Sequence, residues 1–204
     1  MKISRLLAGT ALALSMSAGV ATAAPLLGSM AVSFAGVSYA PAGSIGANTT
    51  FTFLNFAAPP AFTGFQGFVN AGATGGFAPI IGQGVNMSTL TATIGQAFTM
   101  TVDGGNGSFA GTVNHIAVNG PATNRVVEVY ILGGFTPGGL TSGDANSPTS
   151  ITFTANQSVV DGAVSASFSV AAPPAPPPSV PEPMSLALFG LGLAGLGVAM
   201  RRKA

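Results

Sequence analysis

The sequence predicts an all-β fold, an antiparallel β-sandwich or jelly roll, flanked by an N-terminal signal peptide and a single C-terminal transmembrane helix. In the central part of the chain, apolar residues alternate with Ser and Thr at the two-residue period of half-buried strands. These runs are short and are bounded by Gly, Pro, Asn or Asp, and no central segment has the caps and 3.6-residue period of a helix. Such a pattern is typical of sandwiches and jelly rolls.

The first 23 residues have the three parts of a secretory signal peptide. Lys2 and Arg5 form the charged region, an apolar run extends from Leu6 to about Val20, and Ala21-Thr22-Ala23 is an A-x-A cleavage site. We place the cut after Ala23, because the proline at position 25 disfavours a cut directly before it. The alternative is an N-terminal anchor that is retained.

Residues 24–172 form the predicted body, and residues 173–180 form a proline-rich linker that is extended and stiff. The body has a formal charge of −3, since one basic side chain stands against four acidic ones: Arg125 against Asp103, Glu128, Asp144 and Asp161. Without a basic patch, the sequence predicts no nucleic-acid partner. The chain contains no cysteine, which excludes disulfides, thiol nucleophiles and thiolate metal sites.

The body is predicted to contain seven to nine strands. The segment Leu90–Ile94 and the segment Phe98–Val102 both alternate with Thr, and Gly95-Gln96 between them fits a two-residue hairpin turn. Further predicted strands are Met30–Tyr39, Thr50–Phe56 with a bulge near Leu54, and the runs around Val127–Ile131, Ile151–Ala155 and Val164–Val170.

Residues 57–84 are predicted to form a long loop across one end of the sandwich, because they are rich in Gly, Pro and Phe. Four aromatic rings in such a loop would either stack on sugar rings or fill the core beneath it. Phenylalanine lacks the polar group of Tyr or Trp, which favours the core. The four are Phe62, Phe65, Phe68 and Phe77.

Candidate chemistry in the body is weak, and we assign no catalytic residue, no cofactor-binding residue and no metal ligand. His115, the one histidine, is predicted to share a strand face with Val113 and Ala117, and no G-x-S-x-G motif accompanies it. The segment Asp103–Ser108 has oxygen ligands on a Gly-rich turn, as calcium loops do. It has one carboxylate, however, and the twelfth position of an EF-hand loop that begins at Asp103 is Asn114, where that loop needs Glu. We therefore expect a tight turn. The same holds for Thr141–Asn146. A pair of acids for glycoside hydrolysis would have to come from the four body carboxylates.

The C-terminal segment, residues 181–204, has three parts in a fixed order. Pro181-Glu182-Pro183 is followed by the apolar run Met184–Met200 and by Arg201-Arg202-Lys203. About 17 residues of helix span roughly 26 Å, slightly less than the ~30 Å hydrocarbon core, so the run predicts a short transmembrane helix. The basic end predicts a cytoplasmic C-terminus with the body on the other side.

This order of triplet, apolar span and basic end resembles the C-terminal signal of the bacterial PEP-CTERM sorting-domain proteins. The resemblance implies an exported protein whose tail is read and cut by the membrane transpeptidase exosortase. It also implies a transient stay in the inner membrane, transfer to the cell surface or extracellular matrix, and association with exopolysaccharide in a biofilm. Processing partners would be signal peptidase and exosortase. An ordinary C-terminal anchor on a proline-rich stalk is the alternative, and would hold the protein permanently.

The sequence therefore predicts an exported, non-enzymatic surface or matrix protein without a cofactor. An exported polysaccharide hydrolase or a carbohydrate-binding module is the alternative. Four Asn-x-Ser/Thr sequons, at Asn48, Asn86, Asn106 and Asn156, leave open whether the body carries glycan.

Overall fold

The computed structural model describes residues 23–57 and 63–174. Except for Ala23, the predicted signal peptide lies outside these ranges, as do most of the linker and the whole C-terminal segment, in which the transmembrane helix is predicted. In the two described ranges, no helix has the length and apolar character needed to cross a membrane.

The described residues form eleven strands joined by turns, three of which are 3-10 turns at Gly75–Ile80, Asp103–Gly105 and Gly139–Thr141. All strand pairs are antiparallel, as predicted. The strands are β1 Gly28–Phe34, β2 Val37–Ala40, β3 Thr50–Phe53, β4 Gly67–Val69, β5 Gly84–Met87, β6 Leu90–Thr91, β7 Ala97–Val102, β8 Gly107–Asn119, β9 Arg125–Pro137, β10 Ser147–Gln157 and β11 Val164–Ala172.

Eight of the strands form a closed barrel in the order β1-β11-β10-β9-β8-β7-β5-β4, so the predicted sandwich or jelly roll is wrong. Strand β1 closes the barrel because its two halves pair with different neighbours. Gly28–Ala31 pair with the end of β11, and Val32–Phe34 pair with β4. One strand thus joins both edges of the sheet, which removes the edges that an open sheet would expose.

The remaining three strands form a second sheet, β2-β3-β6, which packs into the barrel. The side chain of Phe53 makes edge-to-face contacts with three barrel rings, at centroid distances of 5.8 Å to Phe153, 6.3 Å to Phe98 and 6.3 Å to Phe168. Phe51 lies 4.9 Å from Phe153. These rings fill the barrel interior, where aromatic burial gives the largest gain per side chain.

The strands with the clearest alternation lie where the sequence placed them. In β7 the residues Phe98, Met100 and Val102 are buried while their Thr and Ala neighbours are exposed. The runs in β9 and β10 that begin at Val127 and Ile151 are also buried on one face. Inward side chains from these strands make the hydrophobic core.

Three local predictions are wrong. No hairpin forms at Gly95-Gln96, because β6 pairs with β3 whereas β7 pairs with β5 and β8. The predicted strand Met30–Tyr39 is divided into β1 and β2, and it is interrupted at Ala35 and Gly36. The predicted bulge near Leu54 is instead the end of β3, since the Leu54 side chain is exposed.

Both ends of the described body lie at one end of the barrel. Gly28 at the start of β1 pairs with Ala172 at the end of β11. At the same end, Ser147 at the start of β10 pairs with Phe135, and its Oγ donates to the Leu26 carbonyl at 2.7 Å. We call this the terminal end of the barrel.

Candidate functional site

A polar groove of about 420 Å³ runs across the outer face of the barrel near its terminal end. Four outward side chains form its base, and each comes from a different neighbouring strand. The strand register places them in one row: Asn86 in β5 opposite Thr101 in β7, Thr101 opposite Ser108 in β8, and Ser108 opposite Thr136 in β9. We call this row the polar ladder. It is about 14 Å long, since neighbouring strands lie about 4.8 Å apart.

The side chains of the groove are free to bind a ligand. In residues 23–57 and 63–174, the structure gives no hydrogen bond made by the side chain of Asp103 or by the side chain of any member of the polar ladder. Polar side chains elsewhere in the protein bond to one another, as do the hydroxyls of Thr50 and Thr91 in the second sheet, at 3.0 Å. The groove therefore presents four unpaired side chains on the sheet, next to buried residues of the same strands, and the carboxylate of Asp103 in the adjoining turn.

The wall of the groove is formed by two loops that Asn106 holds together. Its Nδ2 donates to the Asp103 carbonyl at 2.6 Å, and its Oδ1 accepts from the Leu140 amide at 2.9 Å. Its Nδ2 also lies 3.4 Å from Gln83 Oε1, and its carbonyl accepts from Thr141 Oγ1 at 3.0 Å. Asn106 is 7% exposed, so these bonds are shielded from water.

Two glycines let the loops approach this closely. A Cβ on Gly138 would lie 2.3 Å from the Gly105 carbonyl oxygen, and a Cβ on Gly139 would lie 2.3 Å from Asn106 Oδ1. Gly139 also has a φ of +45°, which non-glycine residues rarely adopt. The predicted tight turn at Asp103–Ser108 is confirmed as the link between β7 and β8.

His115 does not lie on the face that its sequence position suggested. A register shift between Val113 and His115 reverses the alternation of β8, so His115 pairs with Tyr130 while Val113 pairs with Ile131. Val113 is buried in the core, and His115 lies on the opposite face with Ala117. Its Nε2 is buried and has no hydrogen-bond partner among the described residues.

The acidic residues of the body do not gather into a metal site. Among the described residues, no group of three or more His, Asp and Glu side chains is close enough to hold an ion. Asp103 is the one acid that lines the groove. Asp161 lies at the opposite end of the barrel, where its carboxylate accepts from the Gly43 amide. Glu128 lies within β9, opposite Ala117.

The predicted loop at residues 57–84 contains β4 and a 3-10 turn, and its phenylalanines have different environments. Phe77 is fully buried and lies 5.1 Å from the ring of Phe135, so it fills the core. Phe68 is half-buried and lies 5.8 Å from the ring of Phe56. Phe65 is half-buried near Gly84. Phe62 lies outside the described residues.

The residues on both sides of the predicted signal-peptide cut, Ala23 and Ala24, lie within the described part of the chain. Ala23 is exposed, and the carbonyl of the next residue, Ala24, accepts from the Ala145 amide at 2.8 Å. Leu26 is completely buried. The other assigned residues, Pro181, Glu182, Pro183, Arg201, Arg202 and Lys203, lie outside the described residues.

Sequence reasoning missed the groove, although it identified β7 and β9 and the part of β8 around His115. Each ladder residue looks like an ordinary solvent-facing residue of its own strand. Only the register of four strands brings them together, and a single sequence does not specify it.

Comparison with known protein families gives one match. Residues 179–203 match the PEP-CTERM protein-sorting motif, a range that contains the triplet Pro181–Pro183 and the basic residues 201–203. No curated protein and no solved structure matches the chain. The chain thus carries a PEP-CTERM sorting motif, which implies processing by exosortase and export to the cell surface or the extracellular space.

Proposed function

We propose that this protein is a non-enzymatic component of the cell surface or extracellular matrix that associates with exopolysaccharide after its tail has been removed. The main support is the groove, whose lining suits binding and offers no pair of catalytic groups. Asp103 is its one carboxylate, and no histidine lines it. A glycosidase needs two carboxyl groups on either side of the scissile bond.

The position of His115 also supports a role without catalysis. Its Nε2 is buried and unpaired among the described residues, whereas a general base must reach the proton that it removes. The partner of His115 across the strands is Tyr130, and neither residue lines the groove.

Sorting is tested by replacing the triplet Pro181–Pro183 with three alanines in the cell that makes the protein. The wild type is expected to appear outside the inner membrane with an intact mass that lacks both the signal peptide and residues 184–204. The triplet variant should remain in the membrane fraction with its tail. Three alanines at Pro176–Pro178, in the linker, are the matched control and should leave sorting intact. A wild-type protein that keeps its tail in the membrane would contradict the proposal and favour permanent anchoring.

The absence of catalysis is tested separately by converting each body acid to its amide. Asp103→Asn, Glu128→Gln, Asp144→Asn and Asp161→Asn should all leave the amount of reducing sugar released from exopolysaccharide unchanged. Release of reducing sugar from exopolysaccharide by the wild type, with its loss in any one of these variants, would establish the hydrolase instead.

A further inference from the structure

We propose that the polar groove is a binding site for an uncharged polysaccharide chain, held by hydrogen bonds from the polar ladder. This inference rests on the proposed function, since it names the ligand class and the residues that contact it. The lining contains Asn, Thr and Ser side chains, each of which can both donate and accept a hydrogen bond, as sugar hydroxyls do.

The shape of the groove favours an extended ligand over a compact one. The polar ladder crosses four strands and is about 14 Å long, a length over which several pyranose rings of one chain can follow each other. The Asp103–Gly105 loop and Gly138 form a wall along this row. Gly104 and Gly105 in this loop are exposed and carry no side chain, so their backbone is accessible to the ligand.

The charge of the groove selects against an anionic chain. Asp103 is its one ionisable group, and Arg125 lies at the opposite end of the barrel, at the start of β9. A uronic-acid or sulfated polymer would meet a carboxylate and no cation, which raises the free energy of binding. A neutral chain meets no such repulsion, and the carboxylate can accept from two adjacent hydroxyls.

The groove is preorganised, which lowers the entropic cost of binding. The ladder side chains alternate along their strands with the buried residues Val85, Met100, Val102, Phe109 and Phe135. The Asn106 clamp fixes the wall. Neither aromatic rings nor a cation line the groove, so each contact is a hydrogen bond to a neutral side chain or to the Asp103 carboxylate. The affinity of a single site is therefore modest.

The test is a titration of the isotope-labelled full chain, solubilised in a zwitterionic detergent that carries no sugar, followed by amide chemical shifts. The probes are cellohexaose, laminarihexaose and mannohexaose, which differ in linkage, with hexagalacturonate as the anionic control. We expect at least one neutral hexasaccharide to shift the amides around Thr101, Asp103 and Ser108, and hexagalacturonate to shift none of them. No shift with all three neutral probes, or shifts elsewhere on the barrel, would overturn the proposal.

Variants localise the contact. Thr101→Val and Ser108→Ala each remove one ladder hydroxyl and should weaken binding about three- to tenfold, the cost of one lost hydrogen bond. Thr112→Val is the matched control, because Thr112 is an exposed residue of β8 outside the groove, and it should bind as the wild type does. Equal loss in Thr112→Val would exclude the ladder as the site of contact.

Two outcomes separate this inference from the proposed function. A protein that is sorted and trimmed normally but binds none of the neutral probes would disprove the groove alone. A protein that binds them but stays in the membrane with its tail would disprove the sorting proposal alone. The groove would also fail as a site for a free chain if intact mass shows a covalent glycan on Asn86, whose sequon lies in the ladder.

Discussion

The Asn106 clamp gives the sharpest test of the structure, through the substitution Asn106→Ala. This change removes the hydrogen bonds of the side chain to the Asp103 carbonyl at 2.6 Å and from the Leu140 amide at 2.9 Å, together with a weaker contact to Gln83 at 3.4 Å. Each well-formed bond contributes about 1 kcal/mol net, and the shielded groups left behind add to the cost. We expect a loss of about 2–3 kcal/mol in the free energy of unfolding, and a Tm lower by roughly 4–12 °C.

Urea and thermal unfolding of the full chain in detergent micelles measure this loss. Far-UV circular dichroism follows the strands, and near-UV circular dichroism follows the buried ring of Tyr130, since the chain contains no tryptophan. Asn86→Ala is the matched control, because Asn86 is exposed and its side chain makes no hydrogen bond in the described residues. It should change stability by less than about 0.5 kcal/mol. Equal effects of the two substitutions would show that the two loops are not held through Asn106.

Two further substitutions test the core and the loop backbone. Phe53→Ala removes a ring through which the second sheet contacts the barrel, and it should lower the free energy of unfolding by about 3–5 kcal/mol. Leu54→Ala, at a side chain that is 46% exposed, should lower it by under about 1 kcal/mol. Similar losses in urea unfolding would refute the packing of this sheet. Gly139→Ala brings a Cβ within 2.3 Å of Asn106 Oδ1 at a φ of +45°, and should cost about 1–3 kcal/mol. A Cβ added at Gly143 would have no atom within 4 Å, so Gly143→Ala should leave the stability nearly unchanged. A Tm that falls equally in both variants would contradict the close approach of the loops.

The strands could be predicted where one side faces the core and the other faces water. Alternation of this kind identifies β7, β9 and β10, because burial of every second residue imposes the pattern directly. Closure of the barrel could not be predicted, since it depends on β1 changing its partner after Ala31, and the two-residue period says nothing about which strands are neighbours.

The candidate site shows the same limit at the level of single residues. The register shift before His115 places this side chain on the outer face. An extra residue in a strand cannot be recognised from the sequence, because the alternating runs on either side of it are short. Asp103 was identified as the start of a tight turn, which is correct. Its place in a groove depends on β9, whose Thr136 is distant in sequence but adjacent in the sheet.

The geometry of the barrel relates the groove to the sorting motif. The last strand ends at Ala172, and the motif begins at residue 179, so at most about 25 Å of extended chain separates the terminal end of the barrel from the motif. The loop at Asp103 lies at this same end, because β8 starts beside the end of β9. The opposite end is closed by Gln157, whose Nε2 donates to the Tyr39 hydroxyl at 2.7 Å and whose Oε1 accepts from the Ile45 amide at 2.9 Å. Cuts after Ala23 and within residues 179–203 would therefore remove both terminal segments from the end of the barrel that holds the groove, without breaking a strand of the barrel.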